Sequence, residues 1–213
     1  MHGVPYQDVY LTMHEGLWEK VVALDGADTA RRAKCEYMPA SGNYEVALLG
    51  CSYVVEPAER RIYPSKISPQ GHEAGFLEQL CILAYLINAR ELPLAKKLVR
   101  AEALEAGSFF FRGPHALPTD KLVEAFGDEP ALLTEAGKRL RAKICDYPDA
   151  SIELSVLPRF PLTLVVWGGD AEFDGRASVL FDQTAGDQLP LDAIGAAVNL
   201  AVEMVITSSG KTS

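Results

Sequence analysis

The stretch SIELSVLPRFPLTLVVWGGDAEFDGRASVLFD, Ser151 to Asp182, decides the fold. Ser151 to Leu157 alternates apolar and polar residues, the period of a half-buried strand. Pro161 to Trp167 is a continuous β-branched run, which predicts a central strand. Ala177 to Phe181 gives a third strand. Pro158-Arg159 and Gly168-Gly169-Asp170 supply the turn chemistry between them.

Outward from this stretch, Leu191 to Ile206 reads as an amphipathic helix led by Pro190, with Ile194, Val198, Ala201, Val202 and Val205 on one face. Thr119 to Phe126 and Pro130 to Cys145 are expected as helices. Lys138, Arg139, Arg141 and Lys143 would then lie on the last turns of the second, where they complement the helix dipole. His72 to Ala89 is the strongest helix pattern, apolar over most of its circumference and therefore buried on most sides. Asn43 to Gly50, Cys51 to Glu56 and Arg60 to Tyr63 read as a small antiparallel meander. Tyr6 to Leu24 and Ala27 to Tyr37 read as helices. Pro93 to Ala106 fits either helix or extended chain, and Gly107 to Pro118 reads as irregular. Strands and helices mix without βαβ alternation, which favours an α+β fold. The expectation is one domain over residues 1–213. It has a mostly antiparallel sheet packed with a buried central helix and a C-terminal amphipathic helix. Two lobes are foreseen, N-terminal helices with the meander and C-terminal strands with the last helix.

The chain has 213 residues and a formal net charge of −9. That balance argues against nucleic acid or an anionic membrane as the main partner. The N-terminus has no basic region followed by an apolar run, so a cytoplasmic protein is expected. Cys35, Cys51, Cys81 and Cys145 lie in no CxxC arrangement, which fits reduced, mostly buried thiols. No glycine-rich phosphate loop, HExxH or GxSxG occurs, and the histidines are scattered. No cofactor and no metal is assigned.

Three features carry chemistry. Tyr6, Tyr10, His14 and Trp18 recur every four residues, the spacing of one helix face. They serve either as a stacking surface or as packing against the domain. In WGGDAEFDGRASVLFD, Asp170, Glu172 and Asp174 follow a buried strand, and Asp182 ends the next. As a hairpin this places Asp170 and Glu172 at the tip and Asp182 at the far end. The segment is read either as a two-carboxylate site or as a solvated tip with a capping Asp182. In LPRFP, Arg159 sits between prolines in a rigid turn, where it binds an anion or pairs with Asp170 or Glu172. The candidate binding set is Trp167, Asp170, Glu172, Phe173, Arg159 and Asp182.

The run from Leu157 to Gly195 resembles the C-terminal signature of an uncharacterised domain family found mainly in anaerobic bacteria and archaea. The resemblance rests on Pro158, Arg159, Pro161, Trp167, Asp170, Glu172, Phe173, Leu180, Phe181, Asp182, Leu189, Pro190 and Asp192. The apolar helix around Gln79 and Tyr85 is similar to that family's central helix. The resemblance implies a cytoplasmic accessory protein of an anaerobe. Some relatives are joined to iron–sulfur modules or lie near corrinoid and one-carbon metabolism, although this chain has no four-cysteine module. Three functions stay open: a domain binding a small ligand, cofactor or protein partner; an enzyme with a carboxylate-based site at Asp170 and Glu172, with or without Arg159 and a divalent metal; and a homodimerisation module using the opening and closing helices.

Overall fold

The structure, a computed structural model, describes residues 15–66 and 73–211. Residues 15–22 are helical (α1). Helix α2 (Gly26–Ala33) follows, started by the Asp25 side chain, which accepts the Asp28 N–H at 2.8 Å. Lys34 adopts a left-handed conformation and ends it. The chain then forms β1 (Glu36–Met38), β2 (Asn43–Leu48), β3 (Cys51–Glu56) and β4 (Arg61–Pro64), an antiparallel sheet in that order. Leu48 pairs with Cys51, so Leu49 and Gly50 form a two-residue turn, both with positive φ. This is the tight hairpin geometry that matches strand twist. One face of the sheet carries Tyr44, Val46, Leu48, Val55 and Ile62, all buried.

Helix α3 (Phe76–Asn88) is the central helix, with Cys81 through Leu86 fully buried. Burying one such leucine or isoleucine contributes roughly 1.5–3 kcal/mol. The next residues run without regular structure to β5 (Leu98–Arg100), a short 3₁₀ turn and the single-turn α4 (Gly107–Phe110). Helices α5 (Thr119–Phe126) and α6 (Ala131–Arg139) follow, and then β6 (Lys143–Ile144), β7 (Ala150–Leu157), β8 (Phe160–Trp167) and β9 (Arg176–Asp182). The second sheet has the order β5-β9-β8-β7-β6 and is antiparallel throughout. The one-turn α7 (Ala185–Gln188) leads into α8 (Leu191–Ser209). By length and composition α8 is apolar enough to cross a membrane. Nine of its residues are nevertheless buried in the fold, where it packs on α3, α5 and α6. The face foreseen for dimerisation is thus used inside the chain. The two sheets touch where the Leu49 N–H donates to the Val156 oxygen at 2.8 Å, beside a register shift in β7.

The α+β architecture, the antiparallel strands, the buried central helix and the C-terminal helix are all present. Several boundaries differ. The second helix stops at Ala33, not Tyr37, because Lys34 turns left-handed and Glu36 to Met38 join a sheet. The helix foreseen to Cys145 stops at Arg139, and Arg141, at φ 56°, redirects the chain into β6. The basic residues therefore do not share one helix end. Of the cysteines only Cys81 is buried; Cys51 is exposed at the start of β3. Tyr6, Tyr10 and His14 lie outside the described residues, while Trp18 is buried.

Candidate functional site

The β8–β9 turn is built on close backbone contact. The Gly168 N–H donates to Asp149 Oδ2 at 2.9 Å, and the Gly169 N–H donates to the Gly127 oxygen at 3.1 Å. A Cβ at Gly169 would lie 2.9 Å from the Gly175 nitrogen, and one at Gly175 would lie 3.2 Å from Gly127 Cα. At Gly169 a side chain would force the backbone apart, and at Gly175 the neighbour would have to give by a few tenths of an ångström. Asp170 then folds the tip. Its Oδ1 accepts the N–H groups of Glu172 and Phe173, both at 2.8 Å, while its own N–H donates to the Phe173 oxygen at 2.9 Å. Those backbone hydrogen bonds hold the Asp170 carboxyl below the usual carboxylate range.

The result is a tip whose backbone is fixed and whose side chains point outward. Phe173 is 71% exposed, flanked by exposed Glu172 and Asp174. At the base, Arg176 lies directly across from Trp167, its guanidinium 4.8 Å from the ring centroid. Such cation–π contacts contribute about 0.5–1 kcal/mol at exposed sites.

The other two nominated residues are elsewhere. Arg159 sits at the opposite end of β8 from Trp167, so it pairs with neither Asp170 nor Glu172. Instead, its Nε donates to the Arg32 oxygen at 2.7 Å, with longer bonds at 3.4 Å to the Arg31 and Leu92 oxygens. The Arg31 and Arg32 oxygens are free carbonyls at the end of α2, which favour a cation, while the Leu92 oxygen belongs to the irregular segment after α3. The Arg159 N–H donates to the buried Tyr85 hydroxyl, and that hydroxyl donates to the Ala33 oxygen at 2.9 Å. Asp182, 4% exposed, accepts from the Ala95 and Lys96 N–H groups and from the Thr184 N–H and hydroxyl. Burial pushes its pKa up, but these four donors outweigh burial and hold it below the ordinary value.

Trp167, Asp170, Glu172 and Phe173 are therefore brought together, while Arg159 and Asp182 fasten the chain at the other end of the sheet. Sequence reasoning left Gln188 out of this fastening. It is buried and exchanges hydrogen bonds with the Arg90 backbone. A lone glutamine before a helix-leading proline carries no signal for that role.

Two clefts lie away from the tip. One, of about 510 Å³, runs between α2 and the first sheet, lined by Arg31, Lys34, Cys35, Glu36, Glu45 and Ser52 among others. Burial pushes the Cys35 thiol up to about 11, so it stays protonated at neutral pH. The other, of about 320 Å³, opens beside β9 where β5 stops. Among the described residues, no group of three or more His, Cys, Asp or Glu is placed to hold a metal ion.

Fold and tip together define an α+β domain of two antiparallel sheets and a buried central helix, displaying an acidic-aromatic turn. The chain belongs to the family described as Domain of unknown function (DUF3786), whose profile matches residues 25–204. No curated protein and no solved structure matches it.

Proposed function

We propose that this domain is an accessory module that docks a protein partner through the β8–β9 tip. One observation carries the reading: Phe173 is 71% exposed on a turn whose backbone is bonded on both sides of that residue. An aromatic anchor held in its bound conformation loses little entropy on docking, and anchors of this kind dominate interface energy. Glu172 and Asp174 beside it call for a partner pocket that is apolar at its centre and basic at its rim. The cytoplasm, and anaerobic redox or corrinoid one-carbon metabolism, are the proposed setting, on the strength of the resemblance alone. The enzymatic alternative is less well supported. A general base works best with a pKa near the operating pH, and Asp170 is shifted the other way while its oxygen serves the turn.

Co-purification from the native host tests the reading, scoring every retained protein, an untagged copy of the chain included. Phe173→Ala should lose at least one protein that the unaltered domain and the remote control Val22→Ala both retain. Asp170→Ala should weaken the same capture by roughly tenfold, since it frees the turn without touching the anchor. Identical retained sets for all four proteins would refute the docking role.

A further inference from the structure

We infer that the uncovered edge of β9 takes an extended segment of another protein as an added strand, bound through its main chain. This site is separate from the Phe173 tip, and either can fail alone.

β5 pairs with β9 only from Leu180 to Asp182, whereas β8 pairs with it from Arg176 to Phe181. Arg176 to Val179 therefore have a strand on one side only. The register decides which backbone groups face outward. The Gln183 N–H donates to the Lys97 oxygen at 2.9 Å, one step beyond the Leu98–Asp182 pair. In an antiparallel strand the backbone groups of alternate residues point to the same side. Phe181, Val179 and Ala177 thus share the side of Gln183, while Leu180, Ser178 and Arg176 turn theirs to β8. Past the end of β5, the Ala177 N–H and C=O face away from β8, and among the described residues neither is hydrogen-bonded.

The space opposite Ala177 is where β5 would continue. The chain leaves that line in the 3₁₀ turn Ala101–Ala103 and comes back past it at Phe111 and Leu117. A cleft of about 320 Å³ is left, with Ala177, Ser178 and Val179 along one side. β5 already holds the strand spacing of about 4.8 Å, so a segment laid end to end with it meets the Ala177 backbone in register. The opposite edge of the same sheet is closed by contrast. There the β2–β3 turn covers β7 beyond β6, with the Leu49 N–H on the Val156 oxygen. Open edges are commonly blunted by proline or charge, and Ala177 to Val179 carry neither.

Those groups select the occupant. A donor and an acceptor on one residue, facing the same way at a strand edge, are matched by the N–H and C=O of one residue of an extended chain. Arg100 and Glu102 offset each other in the cleft lining, so it holds no excess charge to select a charged group. So few backbone bonds give a weak contact, with dissociation in roughly the micromolar range or above.

A display library of random peptides of about ten residues, the upper length of a globular strand, is selected on the purified domain. In the free protein the Ala177 amide should exchange its hydrogen fast and the Ser178 amide slowly. A selected peptide should slow exchange at Ala177. Ala177→Pro removes the outward donor where an edge strand tolerates proline. Binding should fall roughly tenfold or more, with an unchanged circular dichroism spectrum. Methylating the peptide's backbone nitrogens one at a time should abolish binding at alternate positions only, the period of a strand. The exchange and methylation readouts hold even if Ala177→Pro does not fold. Phe173→Ala should leave peptide binding unchanged. A protected Ala177 amide in the free protein, a library without binders, binders indifferent to a folded Ala177→Pro, methylation effects without alternation, or binding lost with Phe173→Ala would each overturn the inference. So would a dimer of the chain that Ala177→Pro abolishes, which would make the occupant a second copy.

Discussion

Replacing Asp182 with alanine should cost about 3 kcal/mol of stability, a drop in melting temperature of roughly 6–12 °C for a chain of this size. Residues 89–97 have no regular structure, yet they cross the end of the second sheet. They are held by side chains. Arg32 donates to the Ala89 oxygen, Gln188 bonds Arg90, Arg159 reaches the Leu92 oxygen, and Asp182 takes the N–H groups of Ala95 and Lys96. Lys96 has a φ of 56°, a conformation that needs outside support in a non-glycine residue. Asp182→Ala removes the support and leaves Thr184 without its acceptor as well. Asp182→Asn keeps one acceptor oxygen and should lose about half as much. The folded carboxyl has a lowered pKa, so its contribution is complete above the unfolded value of about 3.9 and is lost as pH falls through the folded one. Urea midpoints of the two proteins should therefore differ by a constant amount from neutral pH down to about pH 5 and converge below about pH 4. A constant difference at all pH values would remove the carboxylate from the explanation.

Tyr85→Phe should cost about 2 kcal/mol, more than loss of a hydroxyl from a solvated tyrosine. Tyr85 is fully buried, and its hydroxyl serves two backbone groups at once, the Ala33 oxygen and the Arg159 N–H. Phenylalanine keeps the ring packing and strands both groups. Arg159→Ala strips the same junction from the other side by uncapping α2. The pair should be non-additive in a double-mutant cycle, with a coupling of about 1 kcal/mol. Arg159→Lys should not restore stability, because the three carbonyls are met by three separate nitrogens of the guanidinium fork, which a single ammonium nitrogen does not reproduce. Additive losses measured by urea unfolding would mean that Tyr85 and Arg159 act separately.

Much of this architecture is readable from residue pattern. The alternation in Ser151 to Leu157 and the apolar run ending at Trp167 give two strands of the second sheet. The breadth of the apolar face between Phe76 and Asn88 gives its burial. β1 escaped because nothing in Lys34-Cys35-Glu36 marks a stop. A glycine would have advertised the left-handed residue, whereas Lys34 adopts that conformation under tertiary constraint. β6 escaped because its two residues are too short to show a period. The candidate site was half legible. Strands of seven and eight residues separate Trp167 from Arg159 and Asp182 by about 23 Å, which hairpin arithmetic on the sequence already implies. The targets of Arg159 were not legible, because backbone carbonyls have no sequence signature. The fixed conformation of Phe173 was not legible either. It depends on Asp170 accepting two N–H groups in a turn that the Gly169–Gly127 contact holds in place.

Docking through Phe173 is the central claim, and photo-cross-linking from that position measures it most directly. A benzophenone amino acid replaces Phe173 in one protein and exposed Val22 in another, and each is irradiated in native-host extract. The docking account predicts a discrete adduct from position 173 that position 22 does not give. Equal, diffuse labelling from both positions, or no adduct from position 173, would contradict it.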